Sequence, residues 1–199
     1  MAGVRQFDDE KAMDDALALF WRQGVAATSM LDLAAATGVQ RGSLYNAYGD
    51  KETIFLRTFD LYAVRFLEEV RASLEGNDAG RMLRRFFETI IGNMTVGKRG
   101  CLTTKTAVDG SLASKSIRQR LRDHLDRLQS IVEAALSQPD VRPQLTLEPA
   151  QAAAVVVTFT RGLAVMERVH GDQAALLRVA DALIRSLVPE GSRTRSKSR

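Results

Sequence analysis

Cysteine, histidine and proline are scarce in this chain of 199 residues, and each scarcity excludes a class of protein. The single cysteine excludes an internal disulfide framework and is typical of a protein in the reducing cytoplasm. With only two histidines beside it, the chain cannot complete the usual zinc sites, so we expect neither a metal nor another cofactor. Only four prolines interrupt the sequence, and that scarcity favours an all-helical protein.

Long apolar runs are missing as well. No stretch reaches the roughly 18 consecutive apolar residues of a transmembrane helix. The acidic beginning, with Asp8, Asp9 and Glu10, lacks the apolar core of a signal peptide. We therefore expect a cytoplasmic protein without a membrane partner. Paired carboxylates, nucleophile–base spacing and a phosphate-binding glycine loop are not evident either, so we do not expect an enzyme.

Positive charge is unevenly distributed along the chain. Although the formal net charge is +4, residues 1–50 contain four Lys or Arg and seven Asp or Glu. The basic excess lies later and includes residues 190–199, whose Ser/Arg-rich composition predicts disorder. Any binding of nucleic acid by the first 50 residues must therefore depend on where single cations lie, and not on bulk charge.

Apolar residues recur at helical spacing along almost the whole chain, which predicts an all-α fold of about nine helices. Glycine, proline and capping residues separate the periodic segments. The predicted helices are 8–24, a short helix between Ser29 and Gly38, 40–47, 50–74, 78–95, 101–109, 114–137, 148–169 and 172–187.

Residues 29–55 are the most informative stretch, because they predict two short helices around a tight turn and the start of a long third one. Ser29 and Asp32 form a capping-box pattern, and Gly38 follows where a left-handed residue ends a helix. The second short helix is mostly polar, and only Leu44 and Tyr48 are expected in a core. A short helix held by two core residues and otherwise covered with hydrogen-bonding groups is what a recognition helix in the DNA major groove requires.

The motif resembles a known DNA-binding signature. Residues 38–45, GVQRGSLY, followed by residues 51–55, KETIF, are similar to the signature of the TetR/AcrR-type transcriptional regulators, and the resemblance covers about residues 8–60. It implies a helix-turn-helix DNA-binding domain over residues 1–50, a ligand-binding and dimerisation domain over 51–188, and a basic tail over 189–199. It also implies the partners: a double-stranded operator, a small-molecule effector and a second copy of the chain. The expected function is repression from a palindromic operator, relieved by the effector.

Arg41 is the strongest candidate for a contact with DNA, because its guanidinium can donate two hydrogen bonds to guanine O6 and N7. A phosphate contact and a solvated surface arginine are the alternatives for Arg41, and the amide of Gln40 can reach adenine. Tyr45 and Lys51 are expected at phosphates, Lys51 because it lies in the first turn of a helix. Thr28 and Ser29 have two readings, phosphate binding or simple capping. The predicted DNA-binding residues are Thr28, Ser29, Gln40, Arg41, Gly42, Ser43, Tyr45, Asn46 and Lys51.

Residues 150–166 are apolar almost all round, which predicts burial on more than one face. Because the resemblance is to a dimeric family, we expect the last two helices to form an intersubunit four-helix bundle. Burial in the core of one protomer is the alternative. The predicted interface residues are Ala153, Val156, Val157, Thr160, Ala164, Leu176, Ala180, Leu183, Ile184 and Leu187.

The resemblance also implies a ligand pocket among the fourth to eighth helices. Arg161 is conspicuous there because an unpaired charge in an apolar helix is costly. It has three readings: it binds an anionic ligand, pairs with Glu167, or crosses the dimer interface. The predicted pocket residues are Phe66, Phe86, Phe87, Ile90, Met94, Cys101, Leu102, Thr104, Leu125, Leu128, Phe159 and Arg161.

Cys101 supports a second hypothesis. Lys98, Arg99 and Lys105 are close to it in sequence, and cations beside a thiol favour the thiolate. One reading is a regulator that senses oxidants or electrophiles through this thiol. The other is a small buried residue without a regulatory role.

Overall fold

The computed structural model describes residues 7–189, apart from the side chain of Lys98. Over these residues it contains nine α-helices and three single-turn 3-10 helices, and no strand. The α-helices are α1 Asp9–Gln23, α2 Met30–Thr37, α3 Arg41–Tyr48, α4 Lys51–Ser73, α5 Ala79–Thr95, α6 Leu102–Val108, α7 Lys115–Leu136, α8 Pro149–His170 and α9 Gln173–Leu187. The 3-10 helices are Val96–Lys98, Ser111–Ala113 and Arg142–Gln144.

The predicted fold class is confirmed, and the local signals explain why the helix boundaries agree so closely. Ser29 accepts the N–H of Asp32 at 3.2 Å, and the Asp32 carboxylate accepts the N–H of Ser29 at 2.8 Å. These two bonds are the predicted capping box at the start of α2. Gly38 ends the helix with φ of 67°, a left-handed conformation that glycine adopts without a steric penalty.

The chain divides into two compact units. The first contains the described residues up to Arg65 together with Cys101–Arg122, and the second contains Phe66–Gly100 together with the described residues from Asp123. The first unit therefore extends beyond the predicted boundary at residue 50, because Phe55 and Phe59 of α4 are fully buried in its core. Residues 190–199 of the predicted tail lie outside the described part of the chain.

The core of the first unit is aromatic. Phe20 of α1 meets Phe55 of α4 edge to face, with ring centroids 5.3 Å apart. Trp21 and Tyr62 meet in the same way at 4.9 Å. Each fully buried ring stabilises the fold by roughly 1.5–3 kcal/mol, and Leu44 of α3 joins the same core. This core is the platform that orients α3.

The second unit is built around α5, α8 and α9. The buried side of α5 includes Phe86, Phe87, Ile90 and Met94. Helix α8 is long and apolar enough to cross a membrane by length and composition, although it lacks the uninterrupted apolar run sought in the sequence. Its buried side lies in the core of this unit, and the core helix of a soluble protein passes the same test. Helix α8 therefore gives only weak evidence of a membrane span.

Candidate nucleic-acid interface

Helix α3 has one anchored side and one open side. Leu44 and Tyr48, one turn apart, are both buried, as predicted. Ser43 is half-buried. The remaining polar positions of the predicted recognition helix are solvent-exposed: Gln40, Arg41, Gly42, Tyr45 and Asn46. The exposed side of α3 therefore presents a guanidinium, two amides and a phenol, which are the groups that read base edges and phosphates.

Arg41 and Tyr45 form a pair on this open side. The guanidinium carbon of Arg41 lies 5.4 Å from the centroid of the Tyr45 ring, within the range of a cation–π interaction. The pair joins positions i and i+4 of one helix, which face the same direction. Because Tyr45 is itself 41% exposed, the stack limits the motion of the guanidinium without removing it from solvent.

Tyr48 does more than fill the core. Its hydroxyl donates a hydrogen bond to the carboxylate of Asp9 in α1, and that carboxylate also accepts from Arg57 of α4 at 2.7 Å. The guanidinium of Arg57 lies 5.4 Å from the Tyr48 ring centroid. These three side chains connect α1, α3 and α4, so the recognition helix is fixed by a polar network as well as by Leu44. The network joins residues 39 and 48 positions apart, and we found no sequence signal for it.

Thr28 and Ser29 both form local hydrogen bonds, and Ser29 is the residue that caps α2. Thr28 is buried, and its hydroxyl donates to the carbonyl of Gly24 at 2.6 Å. Ser29 is exposed, but its hydroxyl donates to the Asp32 carboxylate at 2.7 Å. The Ser29 hydroxyl, and then its N–H, hold the pKa of Asp32 below the usual value. The Thr28 hydroxyl is thus engaged within the protein, and its predicted contact with DNA stays a prediction.

Lys51 is also engaged within the protein. Its ammonium donates to the carbonyl of Val25 at 2.8 Å and to that of Ala26 at 3.3 Å. Asp50, directly before it, accepts the N–H of Thr53 at 2.8 Å and caps α4. That N–H is the main cause that lowers the pKa of Asp50. Lys51 thus holds the loop between α1 and α2, a role that the sequence motif alone does not predict.

The predicted dimer interface stays a prediction, and the structure gives the burial of its residues within one protomer. Leu183 is half-buried, and the other nine are buried inside the single protomer. Because α8 is apolar almost all round, the sequence does not determine which side faces its own core. The exposed side of α8 carries a different apolar row: Val155, Val165, Met166 and Val169.

The predicted pocket residues are divided between the two units. Cys101, Leu102 and Thr104 belong to the first unit, and the other nine belong to the second. In the second unit Phe87 meets Phe86 at 5.2 Å and Phe159 at 5.8 Å, measured between ring centroids. Of the nine predicted pocket residues in the second unit, three are half-buried: Leu125, Phe159 and Arg161. The other six are buried.

Arg161 and His124 are the charged and titratable groups of this region. The guanidinium of Arg161 donates to the hydroxyl of Thr160 at 2.9 Å. His124 is buried beside Phe66, with ring centroids 5.7 Å apart. Burial, and then the positive charges of Arg161 and Arg127, lower the pKa of His124 to about 4. Its imidazole is therefore neutral at physiological pH.

A short exposed polar helix, anchored on a three-helix core after a capped helix and a glycine turn, defines a helix-turn-helix DNA-binding protein. Residues 12–58 match the family described as bacterial regulatory proteins, tetR family. Residues 79–183 match the tetracyclin repressor-like C-terminal domain. The chain therefore belongs to the TetR family, and it is a DNA-binding transcriptional regulator.

Several relatives are similar over most of their length. The HTH-type transcriptional repressor ComR of Escherichia coli (strain K12) is 27% identical over 190 residues, which cover 92% of this chain and 90% of ComR. The regulator CifR, solved in complex with a 26-base-pair operator, is 22% identical with a TM-score of 0.84, covering 94% of this chain and 100% of that one. Reduced NemR of E. coli is 17% identical with a TM-score of 0.78, covering 90% and 97%. ComR and CifR are named as transcriptional regulators, as is the family to which the chain belongs, and the expectation that the chain is not an enzyme is confirmed.

Proposed function

We propose that this regulator is a cytoplasmic homodimeric repressor that binds a palindromic operator and is released by a small-molecule effector. The observation that carries the proposal is the open side of α3, with Arg41 stacked on Tyr45. A stacked arginine keeps its hydrogen-bonding edge available for a guanine while losing less side-chain freedom on binding. The relative ComR is named a repressor, which supports the proposed sign of regulation.

The phenol of Tyr45 and the amides of Gln40 and Asn46 complete the proposed reading surface. Gly42 leaves the α3 backbone open, because a Cβ built there meets no atom within 4 Å. Ser43 lies at the edge of this surface, half-buried. We propose that Arg41 and Gln40 contact base edges, and that Tyr45 positions the helix through a phosphate.

Dimerisation follows from how little DNA one such helix covers. Two recognition helices about 34–36 Å apart would read successive major grooves of a palindrome. We propose that the exposed apolar row of α8, together with Leu183 of α9, forms the interface. Gly162 is exposed within this row and has no neighbour within 4 Å of a built Cβ, so a second helix can approach closely. A two-fold axis places the same surface of both copies in contact.

For the effector, we propose a site within the second unit beside the aromatic cluster that includes Phe87 and Phe159. Phe159 and Arg161 lie on the same helix, α8, and aromatic side chains together with a half-buried guanidinium would suit a partly apolar anion. The effector would act by binding one spacing of the recognition helices more tightly than another. The thiol hypothesis for Cys101 remains a prediction, and a Cys101→Ser variant that still responds to every oxidant and electrophile tested would contradict it.

Binding to an operator selected from a random duplex library provides the first test. We expect Arg41→Ala to weaken specific binding by about 1–3 kcal/mol and to relax the base preference at one position of each half-site. Fluorescence anisotropy at fixed salt measures both effects. Arg178→Ala, a matched change at an exposed arginine of α9, serves as the control. An unchanged operator affinity for Arg41→Ala would remove the proposed reading role.

A further inference from the structure

The loop that connects α1 to α2, residues 24–28, is held by charged side chains from distant parts of the first unit. Every link described below lies within that unit. On one side of the loop the last carbonyls of α1 have no partner within the helix, as at any helix end. On the other side its N–H groups precede the first turn of α2. Carbonyl oxygens can accept from a cationic side chain, and N–H groups can donate to an anionic one.

Helix α6 and the residue after it supply both charges. The ammonium of Lys105 donates to the carbonyls of Trp21 and Arg22, the latter at 3.0 Å. The carboxylate of Asp109 accepts the N–H of Val25 at 2.9 Å and that of Ala26 at 3.3 Å. These partners are 83 or 84 residues apart in sequence.

Gly24 makes this close approach sterically feasible. It has φ of +84°, and a Cβ built on it would lie 2.9 Å from Oδ2 of Asp109, closer than real contacts allow. Any side chain at position 24 would therefore be strained and would displace the carboxylate. The second oxygen of Asp109 accepts the N–H of Ser111 at 2.9 Å, so the carboxylate also fixes the turn that follows α6.

The same loop is tied to the residue that follows the recognition helix. Lys51 donates to the carbonyls of Val25 and Ala26, whose N–H groups Asp109 holds. Lys51 begins α4 shortly after Tyr48 ends α3. The loop is thus held both by the start of α4 and by the end of α6, and α2 and α3 lie in sequence between the loop and the start of α4.

We propose that Lys105 and Asp109 are positioning residues for operator binding: they hold the α1–α2 loop and thereby set the orientation of α2 and α3. The inference rests on the proposed operator binding. It adds that residues outside α3 determine the operator affinity by orienting that helix. If release of the loop leaves one chain in ten with α3 correctly placed, the apparent operator affinity falls about tenfold.

Replacing Asp109 gives a clear test, because two physical effects change the operator affinity in opposite directions. Removing a negative charge from a protein that approaches a polyanion should strengthen DNA binding through general electrostatics. Losing the loop attachment should weaken it. We expect Asp109→Asn to weaken binding of the selected operator duplex by about fivefold to tenfold. Asp14→Asn removes the same charge from an exposed position of α1 and should leave the affinity equal or higher.

The salt dependence separates positioning from direct contact. Because neither side chain is proposed to touch a phosphate, the slope of log affinity against log salt should match that of the wild-type protein in both Asp109→Asn and Lys105→Met. A decrease of about one in that slope for Lys105→Met would identify a phosphate contact and overturn its proposed role. Thermal unfolding of each variant establishes that the compared proteins are folded.

The outcomes distinguish the two proposals. A wild-type protein that selects no duplex would contradict operator binding itself. A wild-type protein that binds, with Asp109→Asn equal to or tighter than it, would contradict only the positioning role. If Asp109→Asn does not fold, Lys105→Met and the uncharged change Gly24→Ala carry the test. Both should bind the operator more weakly with the salt slope unchanged, and normal affinity in both would overturn the inference.

Discussion

At the scale of single residues, the exposed pair on α3 separates two ways of contacting DNA. Arg41 presents a charge and a planar donor edge, whereas Tyr45 presents a ring and one hydroxyl. Their 5.4 Å stack means that a change in Tyr45 also affects how Arg41 is held. The contributions of the two side chains to operator affinity should therefore not be additive.

Two substitutions of Tyr45 test this dependence. Tyr45→Phe keeps the ring and removes the hydroxyl, so it should weaken operator binding by about 0.5–1.5 kcal/mol without altering base preference. Tyr45→Leu removes the ring as well, and it should also reduce discrimination at the base pair read by Arg41. Competition anisotropy against single-base operator variants measures the difference. Equal discrimination in both variants would show that the stack does not assist reading.

Lys51 has contacts within the protein that the family motif does not indicate. Its place at the start of α4 suggests a phosphate ligand, but its ammonium donates to two loop carbonyls. Thr28 is a similar case, because a small hydroxyl before a helix suggests an anion site and the side chain is in fact buried. In both positions the chain satisfies its own backbone first, as buried polar groups require.

At the scale of elements, α7 carries a titratable group that should make stability depend on pH. His124 has its pKa lowered from 6.5 to about 4 in the folded protein. Between pH 6.5 and pH 4 the imidazole is protonated in the unfolded chain but not in the folded chain. The free energy of unfolding therefore has its full value above about pH 6.5 and falls as the pH decreases towards 4. The free energy of unfolding should fall by about 3 kcal/mol over this interval.

Thermal unfolding of His124→Gln and the wild type between pH 7 and pH 4 tests this dependence. The variant should lose less stability than the wild type over this interval, because glutamine does not titrate. His170→Gln changes the other histidine, which is exposed at the end of α8, and serves as the control. Parallel pH profiles for His124→Gln and the wild type would show that His124 does not cause the effect.

Elements were more predictable from the sequence than contacts. The capping pair at Ser29 and Asp32 spans only three positions, so the start of α2 could be predicted from the local sequence. The side of α8 that faces the core could not be predicted, because apolar residues cover nearly the whole circumference of the helix. The attachment of Asp109 to the α1–α2 loop joins positions 83 and 84 residues apart and has no local pattern.

At the scale of the whole molecule, the proposed function requires two copies. The exposed row on α8 includes Val165, 52% exposed, and Val169, 68% exposed. Single exposed apolar side chains are common on the surface of monomeric proteins. Several of them in a row along one helix favour a surface that is buried in an interface. The prediction that follows concerns association, and not the fold of one protomer.

We expect Val165→Glu to weaken dimerisation at least tenfold, because a buried unpaired carboxylate costs several kcal/mol. Sedimentation equilibrium over a range of protein concentrations measures the dissociation constant. Val108→Glu makes the same change at a valine of α6 that is 79% exposed, and it should leave association unchanged. A Val165→Glu protein that dimerises like the wild type would place the interface elsewhere.

The way in which α3 is anchored also bears on how such a regulator can change over time. Leu44 and Tyr48 are the buried residues that tie the helix to the interior, and its exposed positions contribute little to the stability of the fold. Mutations at positions 40–42, 45 and 46 can therefore accumulate without loss of stability. A duplicated copy of the gene could acquire a new set of target promoters through these few codons while its protein product continued to fold as before.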